Sequence, residues 1–430
     1  MVTIHIKSAI TNFEREPLIR PFGFKGSYMS EIWQSAAMLQ SRSGVAKIGI
    51  GTQNALWSDA QVFTSRSANA AEAAMYMMTD FAAQRLVGRS FTSPMELFEE
   101  LLPEVYAYGV RATGNKNLRK TFALNALVAI DNAAWLLYAE ENNVLTFDEM
   151  IPPSFRGALS FHHNHVASIP LMAYAVPIKE IVRAVNDGYF FMKIKIGQPG
   201  TQDEMLEKDK LRLSEIHRAI GHYETPHSMN GKLPYYFDAN GRYEKKETLM
   251  RLMDHADRIG ALDQIAIIEE PFPEENIEPV DDLPVRIAAD ESAHTVEDAR
   301  KRIELGYGAM ALKPIAKTLS MTLMVAQLAH EHQIPCFCAD LTVNPILVDW
   351  NKNVAARLAP FPGLKEMGLM ETNGHQNYKN WSAMQSYHPH AGALWTIAQN
   401  GLFECDALFY QTSGGMFEAS GHYQQLIAKK

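Results

Sequence analysis

At 430 residues, with 47% hydrophobic and 21% charged side chains, the chain can bury a large core, and 40 Lys+Arg against 49 Asp+Glu give it a formal charge of −9. At about 150 residues per domain it would hold two or three units, and two is the expectation because a barrel of about 250 residues counts as one. The acidic balance and the lack of any Lys/Arg run of five disfavour nucleic acid or an anionic membrane surface as partner, while leaving room for an anionic small molecule.

The N-terminal run MVTIHIKSAITNFEREP alternates apolar and polar residues and soon carries Glu14, Arg15 and Glu16, so it reads as a strand rather than a signal peptide. A second alternating run ends in SGVAKIGIG, where Ser43-Gly44 signals a hairpin. Helical periodicity follows over 68–86, 94–105 and 118–140, which makes an α+β unit. The longest apolar stretch, 123–139, is interrupted by Asn125, Asp131 and Asn132 and falls short of a membrane span.

From Ile169 the texture changes to short apolar runs, each followed by a helical stretch. The runs are IPLMAYAV, YFFMKIKIG, LPYYFDAN, QIAIIEEP, VRIAAD, YGAMALKP, IPCFCAD and LKEMGLMET. The helices are expected over 178–187, 205–220, 245–259, 296–305, 319–330 and 346–358. Strands and helices in this alternation make βαβ units, and eight of them suggest a closed parallel barrel. Three cysteines give no disulfide framework, and Cys336 and Cys338 share one face of a strand, where they read as packing. A cytoplasmic location is expected, as is a homo-oligomer.

Parallel strands covered on both faces should be apolar throughout. Several of these break the rule at the C-terminal end, which is the catalytic face of a barrel. Lys193 and Lys195 are two apart and point to one side of their strand; Asp238, the pair Glu269 and Glu270, Asp290 and Lys313 end the strands that follow. Carboxylates from three consecutive strands would converge on one cation. An oxygen-only ligand set suits Mg²⁺, with Mn²⁺ as a substitute. The lysines, from the strands before and after, would flank it from opposite sides, and a cation and a second ammonium nearby would lower their pKa values toward those of a general base. In IIEEP alternation lets one Glu face inward. Glu291 lies just before a helix that Thr295 and Asp298 would cap and takes a secondary place.

In KIKIG, DAN, IIEEP, ADES and ALKP, in that order, the chain resembles the enolase superfamily, in its mandelate racemase and muconate lactonizing enzyme branch. The resemblance implies a TIM-like α/β barrel of seven βα units plus a closing strand, with an N-terminal α+β capping domain. The corresponding division is a capping domain over 1–150, a barrel over 165–375 and a segment over 376–430 that packs back on the capping domain. It further implies Asp238, Glu269 and Asp290 as Mg²⁺ ligands and Lys195 and Lys313 as the acid/base pair. Lys193 would support Lys195 or hold the substrate carboxylate, with Asn240 and Glu270 behind the ligands.

The implied reaction is removal of the α-proton of a carboxylate through a metal-stabilised enolate. Lysines on both faces point to a racemase or epimerase; a cycloisomerase or dehydratase is the alternative, and a barrel that only binds is a third reading. A Schiff-base aldolase needs no carboxylate triad. Relatives that epimerise dipeptides carry Asp-x-Asp on the eighth strand to bind the substrate ammonium; this chain has Glu371-Thr372-Asn373, a partial match in which Glu371 remains for an ammonium while loss of the second acid weighs against dipeptides. A dipeptide or N-acyl amino acid is the first guess. A loop after the first strand, with Arg20, Phe22, Phe24 and Lys25, is expected to close over the substrate. His162, His163 and His165 precede the first barrel strand and fall at the opposite end.

Overall fold

In the computed structural model, which describes residues 2–24 and 27–429, the alternating N-terminal runs form a four-stranded antiparallel sheet. Its strands are β1 (Ile4–Phe24), β2 (Ser27–Ser41), β3 (Ala46–Gln53) and β4 (Ser90–Phe91), in the order β3-β2-β1-β4. The β2–β3 turn passes through Gly44 at φ +102°, which only glycine adopts without strain.

Helices Ala68–Leu86, Pro94–Thr113 and Lys120–Glu141 complete the cap. The second runs two turns further than the periodicity suggests and stops at Gly114, which is left-handed. Lys120–Glu141 is long and apolar enough to cross a membrane, but 94% of its apolar window is buried within the protein, which is why it is hydrophobic on all sides. It seats directly on β3: a Cβ at Gly49 would lie 2.1 Å from the Ala129 carbonyl oxygen.

One carboxylate inside the cap carries a pH dependence. Glu72 is 3% exposed; its Oε1 accepts the Ala55 N–H at 2.9 Å and its Oε2 has no partner. Burial pushes its pKa up to about 8. A folded-state value above the unfolded 4.5 means that this group's contribution is complete below about pH 4.5 and is lost as pH rises through 8. Melting temperature should therefore fall between pH 5 and pH 9, and Glu72→Gln should flatten that slope. Asp131, raised to about 7 by burial, adds in the same direction and keeps the slope from vanishing. A Gln variant with an unchanged slope would contradict the assignment.

The second sheet is the barrel. Its parallel strands are β5 (His165–Ile169), β6 (Leu171–Met172), β7 (Met192–Lys195), β8 (Tyr235–Asp238), β9 (Ile265–Glu269), β10 (Ile287–Ala289), β11 (Ala309–Leu312), β12 (Cys336–Cys338) and β13 (Gly368–Glu371). Pairing runs from β6 through β13 to β5. β5 and β6 are one segment interrupted at Pro170, which lacks the ladder N–H, so the ring closes with eight strand positions. β14 (Leu402–Glu404) adds antiparallel to β5 outside the ring.

Helices Ile178–Asn186, Gln202–Ile220, Lys246–Arg258, Val296–Glu304, Leu319–Glu331 and Pro345–Ala355 lie within a few residues of their expected positions. Thr201 with Glu204 and Thr295 with Asp298 form capping boxes that start two of them. No helix joins β9 to β10 among the described residues: this link carries Pro271, Pro273, Pro279 and Pro284, which remove the N–H groups a helix needs. Beyond the barrel, helix Gly421–Ala428 meets the cap sheet, where Asn12 donates to the Leu426 carbonyl at 2.8 Å and His422 pairs with Glu14 at 2.7 Å.

Candidate active site

Parallel pairing brings the polar strand ends into one ring. Lys193 and Lys195, two apart on β7, face the same side, and both reach Asp238 Oδ2 at the end of β8, at 3.0 and 2.5 Å. Lys193 also donates to Glu269 Oε1 at 2.9 Å and Glu371 Oε2 at 3.1 Å, so one buried ammonium holds carboxylates from three strands. Lys195 donates to Asn240 Oδ1 at 2.5 Å. Across the ring, Lys313 follows β11, pairs with Asp290 Oδ2, and lies 4.4 Å from the Trp57 ring centroid. β7 and β11 occupy the second and sixth of eight positions, so Lys195 and Lys313 come from facing sides. The cavity between them is also walled by Phe22, Asn54 and Trp57 of the cap.

Glu269, Asp290 and Glu291 each present an oxygen within 4.8 Å of the other two, a spacing that one cation can span. The sequence-based trio had Asp238 in place of Glu291. Asp238 Oδ2 meets two ammoniums and its Oδ1 accepts the Asn240 N–H at 3.0 Å; Glu269 is likewise paired with Lys193 and Tyr236, and Asp290 with Lys313 and Lys317. Glu291 accepts one bond, from Asn240 Nδ2 at 2.9 Å, and its Oε2 is buried with no partner. Three carboxylates, one with an orphaned oxygen, fit a hard divalent cation.

Burial, opposed by Lys193 and reinforced by Asp290, pushes Glu269 up to about 8. Burial acts the same way on Asp238, but Lys193 and Lys195 outweigh it and hold the carboxyl down at about 2. Asp290 is likewise held below the usual carboxylate range by Lys313 and Lys317. The neighbouring carboxylates act on two of the lysines in turn. Burial does favour their neutral forms, but Asp238 and Glu269 raise Lys193 well above its ordinary value, and Asp290 raises Lys313.

Glu270 turns away from the cavity at φ +40°. Its Oε2 accepts the N–H groups of Asp290 at 2.8 Å and Ser292 at 3.2 Å, bracing the end of β10, and burial with Glu291 nearby raises its pKa to about 7. Glu371 and Asn373 line the cavity but bond within the protein: Glu371 Oε1 accepts Asn373 Nδ2 at 3.1 Å, and Asn373 Oδ1 accepts Thr342 Oγ1 at 2.6 Å.

The expected lid is strand rather than loop. β1 continues to Phe24 and pairs with β2, Phe22 opposite Met29 and Phe24 opposite Ser27, because main-chain pairing resumes after the register shift beyond Pro17. Phe22 reaches the cavity wall, Arg20 is exposed outside it, and Lys25 lies outside the described residues. His163 bonds the Leu358 carbonyl at 2.8 Å and His162 pairs with Asp148 at 3.1 Å, away from this cavity.

Sequence reasoning missed Trp57, Asn54, Asp340 and Lys317. Asp340 ends the strand IPCFCAD, a visible signal; its carboxylate accepts the Leu341 N–H at 2.7 Å and the Asn373 N–H at 2.8 Å, and burial raises it to about 7. Lys317 stands four residues after Lys313, the helical spacing that could have flagged it. Trp57 and Asn54 gave no signal, because only the docking of the cap places them here.

Residues 178–382 match the family model described as enolase C-terminal domain-like, and they carry the lysines and carboxylates on successive strand ends. This match supports the enolase superfamily for the barrel region. Among curated proteins, the chain is 27% identical over 278 residues to an o-succinylbenzoate synthase of Bacillus subtilis (strain 168), a match covering 62% of this chain and 61% of that protein, less than two thirds of the relative's length. Among solved structures it is similar to a dipeptide epimerase from Enterococcus faecalis V583, complexed with Mg and the dipeptide L-Leu-L-Tyr, with a TM-score of 0.64, 16% identity, and coverage of 93% of this chain and 97% of that one. An N-succinyl Arg/Lys racemase from Bacillus cereus ATCC 14579 gives a TM-score of 0.63 at 14% identity, covering 87% and 89%. At these identities the structural likeness establishes the fold, a barrel with an N-terminal cap.

Proposed function

We propose that this protein is a divalent-cation-dependent racemase or epimerase of an α-substituted carboxylate, with N-acyl amino acids or dipeptides as the leading substrate class. The observation that carries this reading is the pair of lysines at facing strand positions, Lys195 and Lys313, with carboxylates between them. Glu269 and Asp290, with Glu291 or Asp238, would hold Mg²⁺. Bound there, the cation supplies positive charge to the substrate carboxylate, which lowers the cost of the second negative charge created by loss of the α-proton.

The remaining work falls to the chain's own groups. Lys195 accepts the α-proton at Nζ, steered by Asn240 and Asp238. Lys313, kept charged by Asp290, delivers a proton to the other face, and in the reverse direction the roles exchange. Lys193 anchors Asp238, Glu269 and Glu371. Trp57 covers Lys313 and helps to exclude water from the reacting face.

The similarity to a synthase favours a second reading, in which the same lysines drive an elimination, a lyase reaction. Incubation of the full chain and Mg²⁺ with pooled dipeptides, N-acyl amino acids and sugar acids, read by chiral chromatography and mass spectrometry, separates the two. A new epimer of unchanged mass is expected. A product lighter by one water would support the lyase, and no product from any class would contradict an enzymatic role for these lysines.

A further inference from the structure

Lys317 is a buried ammonium that the proposed chemistry does not use. It is 4% exposed, and its Nζ donates to the Asp290 carbonyl at 2.6 Å, to the Ala293 carbonyl at 3.0 Å and to Asp290 Oδ1 at 3.3 Å. A lysine has three N–H donors, and these three acceptors engage all of them, so none remains for a substrate. Lys317 is also absent from the residues lining the cavity. Its contacts instead enclose the turn that follows β10. Asp290 Oδ2 meets Lys313 on the cavity side while Oδ1 meets Lys317, and the Ala293 N–H closes the turn onto the Asp290 carbonyl at 3.1 Å.

The backbone beside Lys317 is built to aim it. Thr318 has φ +73°, ψ 155°, a region that a β-branched residue adopts only under strain. Two contacts hold it there. Its own Oγ1 accepts the Met321 N–H at 3.2 Å, and Asp131 of the cap accepts the Ser320 N–H at 3.1 Å and hydroxyl at 2.5 Å. The reversal at Thr318 separates the short helix Pro314–Lys317 from helix Leu319–Glu331 and leaves Lys317 directed back at Asp290. Charge burial of this kind costs stability unless each donor is paired, as here.

We infer that Lys317 is a positioning residue for the cation site: it fixes the Asp290 carboxylate and the turn from Asp290 to Ala293, and the affinity of the site for a divalent cation depends on it. The inference rests on the reading of Glu269 and Asp290 as cation ligands. Positioning and simple charge make opposite forecasts. An ammonium near a cation repels it, so by Coulomb's law alone its removal tightens binding; loss of an outer partner that orients a ligand weakens binding by about 10- to 100-fold.

The test is Mn²⁺ titration of the metal-free full chain, followed by the electron paramagnetic resonance of free Mn²⁺, for wild type, Lys317→Gln and Lys317→Met, with a thermal melt of each. Both variants should bind Mn²⁺ about 10-fold or more weakly. Turnover at saturating Mn²⁺ should stay near that of wild type, a split that a merely structural role would not produce. Wild-type protein that binds no Mn²⁺ would overturn the cation-site reading itself. Wild type that binds, with variants equal or tighter, would overturn the role of Lys317 alone. A Gln variant that fails to fold would also overturn it, because a local positioning role leaves the core intact.

Discussion

Replacing Lys195 or Lys313 by Ala is expected to cut exchange of the substrate α-proton by about 10²- to 10⁴-fold, the range for loss of a positioned acid or base. Each variant should lose exchange from one epimer and retain it from the other. The asymmetry follows from geometry: the lysines stand on strands at facing positions, so each would front one side of a bound carbon. Neither substitution strands a charge. Asp238 keeps Lys193 at 3.0 Å when Lys195 is removed, and Asp290 keeps Lys317 at 3.3 Å when Lys313 is removed. A fall in rate therefore reports on chemistry rather than on folding. Deuterium incorporation at Cα from D₂O measures it, and full exchange of both epimers by either variant would refute the two-lysine assignment.

Lys193→Met should be the most destabilising change at the site, by about 3–5 kcal/mol, the range for breaking a buried ion pair by removal of one partner. The ammonium is the shared counter-ion of Asp238, Glu269 and Glu371, and its side chain is 4% exposed. Without it three buried carboxylates crowd together. In wild type, Asp238 is held at about 2 against an ordinary 3.8, so its pairing contributes stability above pH 3.8 that disappears as pH falls through 2. In the variant the sign reverses for carboxylates left unpaired: burial favours their protonated forms, and the deficit relative to wild type should be larger at pH 8 than at pH 5. Urea denaturation at the two pH values checks this. A loss below about 1 kcal/mol, the level of an exposed pair, would mean that Lys193 is not their main counter-ion.

The candidate site was legible in the sequence for one reason. Parallel strands buried on both faces have no use for charge, so Lys193, Lys195, Asp238, Glu269, Asp290 and Lys313 stood out against their apolar neighbours. The barrel was legible from the same alternation of short apolar runs and helices. Other features depended on relationships that no local pattern encodes. Trp57 reaches Lys313 through the docking of the cap. Glu291 comes within one cation's reach of Glu269 and Asp290, a proximity visible only in three dimensions. The segment holding Arg20 and Phe22 read as a loop by resemblance to the family's closing loop, yet main-chain pairing carries β1 through to Phe24. The link from β9 to β10 was assumed helical by rhythm, although its prolines argued otherwise.

The most direct test is the position of a bound cation, found by anomalous diffraction from crystals grown with Mn²⁺. A single strong peak is predicted against Glu269 and Asp290, between Lys195 and Lys313, with Glu291 or Asp238 as the third carboxylate. A peak elsewhere, or none at saturating Mn²⁺, would contradict the claim that these strand ends form a metal-assisted site for α-proton transfer.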